Sequence, residues 1–195
     1  MSKKSIYILG LITLIAFPAL AMFVLWFFSS KSPWEILEFS NMRIDFILLG
    51  LLFGILYAFF SLWLFNRPFF DNEMNQQKRL ISSLNLSILD KLFLSFCAGF
   101  GEEILFRAGM QHYLGIWFTS ILFIAIHGYL NPKKPRLALY GIFLIPFIIA
   151  LGFAYLKFGL WAIISAHFSY DFVLFLFIKK ENLKVEEFLD ERIEE

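Results

Sequence analysis

Residues 44–65 read IDFILLGLLFGILYAFFSLWLF. Apart from Asp45 at one end, nothing in this stretch ionises, and its length matches the roughly 20 residues that a helix needs to cross a bilayer core. Beta-branched and aromatic residues are mixed with leucine, without the ten-residue alternating segments of a membrane barrel. Working outward, five more apolar runs share the pattern, at 5–28, 88–114, 116–130, 137–156 and 160–178. The composition agrees: 59% of the 195 residues are apolar, 20% aromatic and 17% charged, against about 25% charged in soluble domains. The expectation is an all-α, polytopic membrane helix bundle of about six transmembrane helices.

Six spans use most of the chain and leave no room for a second domain of any size outside the bilayer. The expected organisation is two N-terminal helices and a loop over 1–87, a helical unit over 88–178 and a charged tail over 179–195. Lys3, Lys4 and the apolar stretch ending near Ala19-Leu20-Ala21 also have the look of a signal peptide. Apolar residues continue unbroken to Phe28, which favours a retained span. Residues 29–43, with Pro33, Trp34 and Glu35, suggest a short interfacial helix. Residues 67–87 read as a polar loop, and 184–195 as a solvated helical tail.

The net charge is +1, from 17 basic and 16 acidic residues, so nothing in the balance calls for nucleic acid. Its distribution is more informative, because Lys and Arg collect in short cytoplasmic loops. With the N-terminus inside, Lys3, Lys4, Arg67, Lys78, Arg79, Lys133, Lys134, Arg136, Lys179, Lys180, Lys184 and Arg192 all fall on the cytoplasmic side. Only Lys31, Arg43 and Lys157 fall outside. Both termini are expected in the cytoplasm, and the chain in the cell membrane as a multi-pass protein. The single Cys97 excludes an intrachain disulfide framework or a C-x-x-C site.

A charge at the centre of a membrane helix costs roughly 2.5–3.5 kcal/mol, so each one inside a span needs a reason. Glu102, Glu103 and Arg107 lie in the third run, His127 in the fourth, and His167 with Asp171 in the sixth. At about 1.5 Å rise per residue, Glu102, His127 and Asp171 lie roughly 16–18 Å below the outer face and His167 about 10 Å. They can meet at one level. Glu103 and Arg107 are four apart and form a favourable ion pair, as are Phe123 with His127 and His167 with Asp171. Glu102 is rotated about 100° from Glu103, which leaves it available for other work.

Taken singly these residues have plain structural readings. Glu103–Arg107 alone is a way to neutralise two charges, and a lone His127 would join helices by a hydrogen bond. His112 reads as interfacial. The shared depth of Glu102, His127, His167 and Asp171 is what argues for a site. A carboxylate in a low-dielectric pocket can shuttle protons, and imidazole can donate to a developing oxyanion, so the set suits hydrolysis by an activated water. Glu102, His127, His167 and Asp171 are also of the right type for zinc, although the H-E-x-x-H signature is absent. Buried Glu, His, Arg and Asp would equally serve a proton relay, but no inverted repeat or matched pair of broken helices supports a transporter.

Glu102-Glu103-x-x-x-Arg107 in GEEILFRAGM, Phe123-x-x-x-His127 in LFIAIHG and His167-x-x-x-Asp171 in LWAIISAHFSYD resemble the three motifs of the CAAX protease and bacteriocin-processing (CPBP) intramembrane proteases. That group includes the eukaryotic type II CAAX prenyl endopeptidase. The resemblance covers roughly 88–178 and implies a glutamate-dependent membrane endopeptidase. Carried onto this chain, Glu102 would activate water with help from His127, and His167 and Asp171 would bind the oxyanion. Glu103 and Arg107 would fix the first motif's helix. The family is described both as metalloproteases and as working through glutamate and histidine directly, so zinc is an allowed cofactor that the resemblance does not require. Asn is frequent where this chain has Asp171, and an ionised Asp cannot donate to an oxyanion. The implied substrate is a peptide or membrane protein, prenylated in one branch of the family. The alternative is a non-enzymatic membrane scaffold, an immunity or regulatory protein, on the same fold.

Overall fold

The computed structural model describes residues 2–28, 33–67, 81–133 and 135–177. Most of the expected polar loop and the whole charged tail lie outside them. The described residues form helices and turns without any strand: α1 (Lys3–Phe28), two 3-10 turns (Pro33–Leu37 and Phe39–Asn41), α2 (Ile44–Phe65), α3 (Ile88–Glu103), a π-helical segment (Ile104–Met110), α4 (Gln111–Ile126), α5 (Pro135–Phe158) and α6 (Leu160–Phe177). The expected interfacial helix is thus a pair of 3-10 turns.

Large apolar side chains face outward along the bundle, among them Ile15, Trp26, Leu48, Leu56, Phe153 and Leu156. Such a continuous apolar exterior is what lipid solvates and water does not. Among the described residues five helical stretches are long and apolar enough to cross a membrane, against about six expected, because α3, the π segment and α4 run on as one stretch from Ile88 to Ile126. That stretch would be nearly 60 Å long if straight, about twice the hydrocarbon core. It is not straight: Gly115 adopts φ 74 and ψ 165, inside α4, a conformation that only glycine takes without strain.

Side-chain register shows what the break does. Before it, Arg107 bonds the Ile148 carbonyl and Gln111 the Gly152 carbonyl, so this segment runs parallel to α5. After it, Ile116 packs at Gly152 and Ile124 at Gly141, so the chain now runs antiparallel to α5. The third and fourth expected runs are therefore both present, folded back on one another. The fourth is shorter than expected, ending at Ile126 instead of 130, because Gly128 at φ 75 turns the backbone out of the helix. From Gly115 it descends only about 17 Å, a little over half the membrane core.

The two N-terminal helices pack on the motif-bearing ones and add more than hydrophobicity. Helix α1 runs along α3, with Gly101 against the Thr13 carbonyl and Gly109 against Ala21. At its start Lys3 and Tyr7 both reach Asp90, which also closes a capping box with Ser87 at the start of α3. Helix α2 lies so close to α6 that a Cβ built on Gly50 or Gly54 would fall 2.0 Å from the carbonyl oxygen of Ala162 or Ala166. Gly50-x-x-x-Gly54 is the small-residue spacing by which membrane helices approach closely.

Candidate active site

The sequence puts Glu102 and Glu103 on adjacent positions of α3, and the fold sends them to different surroundings. Glu103 is fully buried. Its Oε2 accepts from Arg107 Nε at 3.0 Å and its Oε1 meets His167 Nδ1 at 2.7 Å. Arg107, also fully buried, donates further to the Ile148 carbonyl at 3.1 Å and to Gln111 Oε1 at 3.4 Å, while the Gln111 amide donates to the Gly152 carbonyl at 3.0 Å. This satisfied network removes most of the penalty of burying a guanidinium in a membrane.

The wider π turn between Ile104 and Met110 carries Arg107. Such turns within α-helices recur at functional sites. Phe106 from the same turn packs edge-on against Phe123, ring centres 4.9 Å apart, tying the first motif to α4.

Glu102 is left to face the other two motifs. Its Oε2 lies 3.4 Å from His127 Nε2 and 3.9 Å from His167 Nε2, and His167 Nε2 lies 3.5 Å from Asp171 Oδ2. One carboxylate oxygen is thereby within reach of two imidazole nitrogens from two other helices. His127 caps α4, its ring stacked on Phe123 at 4.3 Å and its Nδ1 2.7 Å from the Phe123 carbonyl. A carbonyl can only accept, so Nδ1 carries the proton there and Nε2 points at Glu102. Likewise Glu103 occupies Nδ1 of His167 and leaves Nε2 to face Glu102 and Asp171. In this geometry Glu103 fixes the His167 tautomer.

Exposure grades across the cluster. The side chains of His127 and Asp171 are 29% and 24% exposed, Glu102 12%, and Glu103 and Arg107 0%. The most exposed members are His127, beside the loop that joins α4 to α5, and Asp171, and these two form the open side of the cluster, its cleft. Non-helical backbone at membrane depth is tolerated where it lines a cavity, and this loop begins at about mid-depth.

All seven residues singled out from the motifs thus meet in one place, whereas His112 is exposed near the far end of its helix, edge-on to Tyr113. Sequence reasoning missed Gln111, and it missed Tyr129. The Tyr129 ring lies parallel to that of His127, 6.1 Å away at 5°, and edge-on to Tyr140 at 5.0 Å. Residues two apart on a helix project to opposite sides, so only the break at Gly128 allows this pairing. Burial, then the charges of Asp171 and Glu102, push the Tyr129 phenol up to about 12.

As zinc ligands the donors have suitable chemistry, but among the described residues no three His, Cys, Asp or Glu side chains converge on one point. They lie in a chain from His127 through Glu102 and His167 to Asp171.

Residues 84–173 match the family model for the type II CAAX prenyl endopeptidase Rce1-like proteins. That stretch contains all three motifs. The chain is also 26% identical over 183 residues to Uncharacterized protein YpbD of Bacillus subtilis (strain 168), covering 93% of each chain. No solved structure matches it. The likeness first carried by the motifs therefore extends over the helices that hold the site.

Proposed function

We propose that this chain is a cell-membrane endopeptidase that hydrolyses a peptide bond near the C-terminus of a peptide or membrane protein, prenylated or not, with Glu102 as the base that activates water. The observation that carries the reading is the position of Glu102 Oε2 between His127 Nε2 and His167 Nε2, 3.4 and 3.9 Å away. A water held there loses its proton to Glu102 as its oxygen attacks the scissile carbonyl carbon. His127, oriented by its bond to Phe123, shares that proton. The carbonyl π electrons move onto oxygen, and the oxyanion is stabilised by hydrogen-bond donors that line the site. Collapse of the tetrahedral intermediate breaks the C–N bond, and the proton passes from the Glu102–His127 pair to the leaving amine.

Glu103 and Arg107 position the site without touching substrate: Glu103 holds His167 by Nδ1, and Arg107 holds Glu103 in place. Asp171 acts on His167 Nε2 from the cleft side. No step is routed through a metal. The test is cleavage of fluorogenic peptides, farnesylated C-terminal ones included, by detergent-purified protein with and without a chelator. Cleavage that survives chelation supports the direct mechanism, and loss restored by zinc overturns it. A non-enzymatic scaffold on this fold would cleave none of them.

A further inference from the structure

Hydrolysis of a peptide bond places a full negative charge on the former carbonyl oxygen, and the rate depends on donors already aimed at it. The cleft is rich in acceptors and poor in donors. Glu102, Glu103 and Asp171 contribute three carboxyl groups, and an ionised carboxylate only accepts. The Nδ1 of His127 is engaged by the Phe123 carbonyl and that of His167 by Glu103. In their neutral forms both rings then present an unprotonated Nε2 to the cleft. A charged imidazolium would donate from Nε2, but Glu102 and Asp171 lie there to take that hydrogen bond.

Among the described residues, a neutral donor stands directly beside His127. Tyr129 reaches it because the chain leaves the helix at His127 and Gly128 takes φ 75, which lays the phenol ring parallel to the His127 imidazole. Its far side is braced by Tyr140, whose hydroxyl is 3.4 Å from that of Tyr170, and Tyr170 in turn donates to Ser61. The ring is therefore held from two directions, and a fixed donor needs no reorganisation during reaction.

We propose that Tyr129 is a catalytic residue whose phenolic O–H donates a hydrogen bond to the oxyanion, supplying the neutral donor that an ionised Asp171 does not. The step moves no further atoms: the O–H bond stays intact, and the hydrogen bond strengthens as charge grows on the carbonyl oxygen. This rests on the endopeptidase reading above.

The experiment compares kcat and KM for peptide cleavage by wild type, Tyr129→Phe, Asp171→Asn and the double variant, each checked for folding by its unfolding midpoint in detergent. Phenylalanine keeps the ring packing and removes only the hydroxyl. Loss of one oxyanion donor costs about 10²-fold or more in kcat, so Tyr129→Phe is expected to lose about that much with KM little changed. Asn at 171 offers an amide donor, so adding Asp171→Asn to Tyr129→Phe restores at least tenfold of the loss. Wild-type kcat in Tyr129→Phe overturns the assignment, as does a loss confined to KM or a double variant no faster than Tyr129→Phe. An inactive wild type overturns the endopeptidase reading itself and this inference with it, which keeps the two failures apart.

Discussion

Helix α6 has two working faces. Toward α2 it presents Ala162, Ser165, Ala166 and Ser169 to Gly50 and Gly54, and the serine hydroxyls reach across to the Ile47 and Leu51 carbonyls at 3.0 Å. Toward α3 it presents His167 and Asp171, which meet carboxylates and a cleft. The first face is dry, made of small residues, and closes by backbone approach; van der Waals packing holds it, since lipid offers apolar side chains no incentive to leave. The second face is held by charge pairing and keeps a path to solvent. The difference teaches how a membrane bundle can afford a polar centre: rigidity is generated on one side of a helix so that ionisable groups on the other are fixed without being sealed.

The comparison breaks most visibly at Gly54. Gly54→Leu forces α2 and α6 apart, and the expected result is loss of a cooperative unfolding transition in detergent together with all activity. Gly54→Ala, with one methyl against the Ala166 carbonyl, costs about 3 kcal/mol. Unchanged unfolding midpoints in both would show that the close approach is not what holds α6.

On the polar face Arg107→Met leaves Glu103 buried without its main partner. Removing one member of a buried pair costs about 3–5 kcal/mol, read as a lowered unfolding midpoint. Glu103→Gln is expected to separate fold from chemistry. It retains much of the packing but loses the anionic partner of His167 Nδ1, so kcat falls roughly 10²-fold or more. If activity tracks stability in the same proportion as in the Gly54 variants, Glu103 has no positioning role beyond the fold.

The smallest effect sharpens the contrast. Ser169→Ala removes a hydroxyl shared between the Leu51 carbonyl of α2 and the Ala166 carbonyl of its own helix, so stability falls by about 1 kcal/mol and kcat does not change. A drop in kcat without a drop in stability would mean that the two faces of α6 are not independent.

Much of this was legible in the sequence for one physical reason: lipid enforces rules that water does not. Spans must be long and apolar, so the runs from 44 to 65 and from 160 to 178 declared themselves. Ionisable residues inside spans are costly, so Glu102, His127, His167 and Asp171 stood out. Gly115 fell in the gap between two expected runs, and the turn is there. What could not be read depends on backbone departures from the regular helix. The π turn that carries Arg107 leaves no pattern in residue type. The break at Gly128 shortened the fourth run and brought Tyr129 beside His127 against helical spacing. The Glu103–His167 bond joins residues 64 apart, a distance over which spacing is silent. Gly50-x-x-x-Gly54 was there to be noticed, but hydrophobicity hid it.

The central claim is that Glu102 activates water in a site that the fold holds ready. The most direct measurement is cleavage of the peptide panel by wild type and Glu102→Gln, with unfolding midpoints recorded for both. The expected result is at least a 10³-fold loss of kcat with a midpoint within about 0.5 kcal/mol of wild type, because Gln fills the same space at a partly exposed position. Cleavage by well-folded Glu102→Gln at a rate near wild type would contradict it.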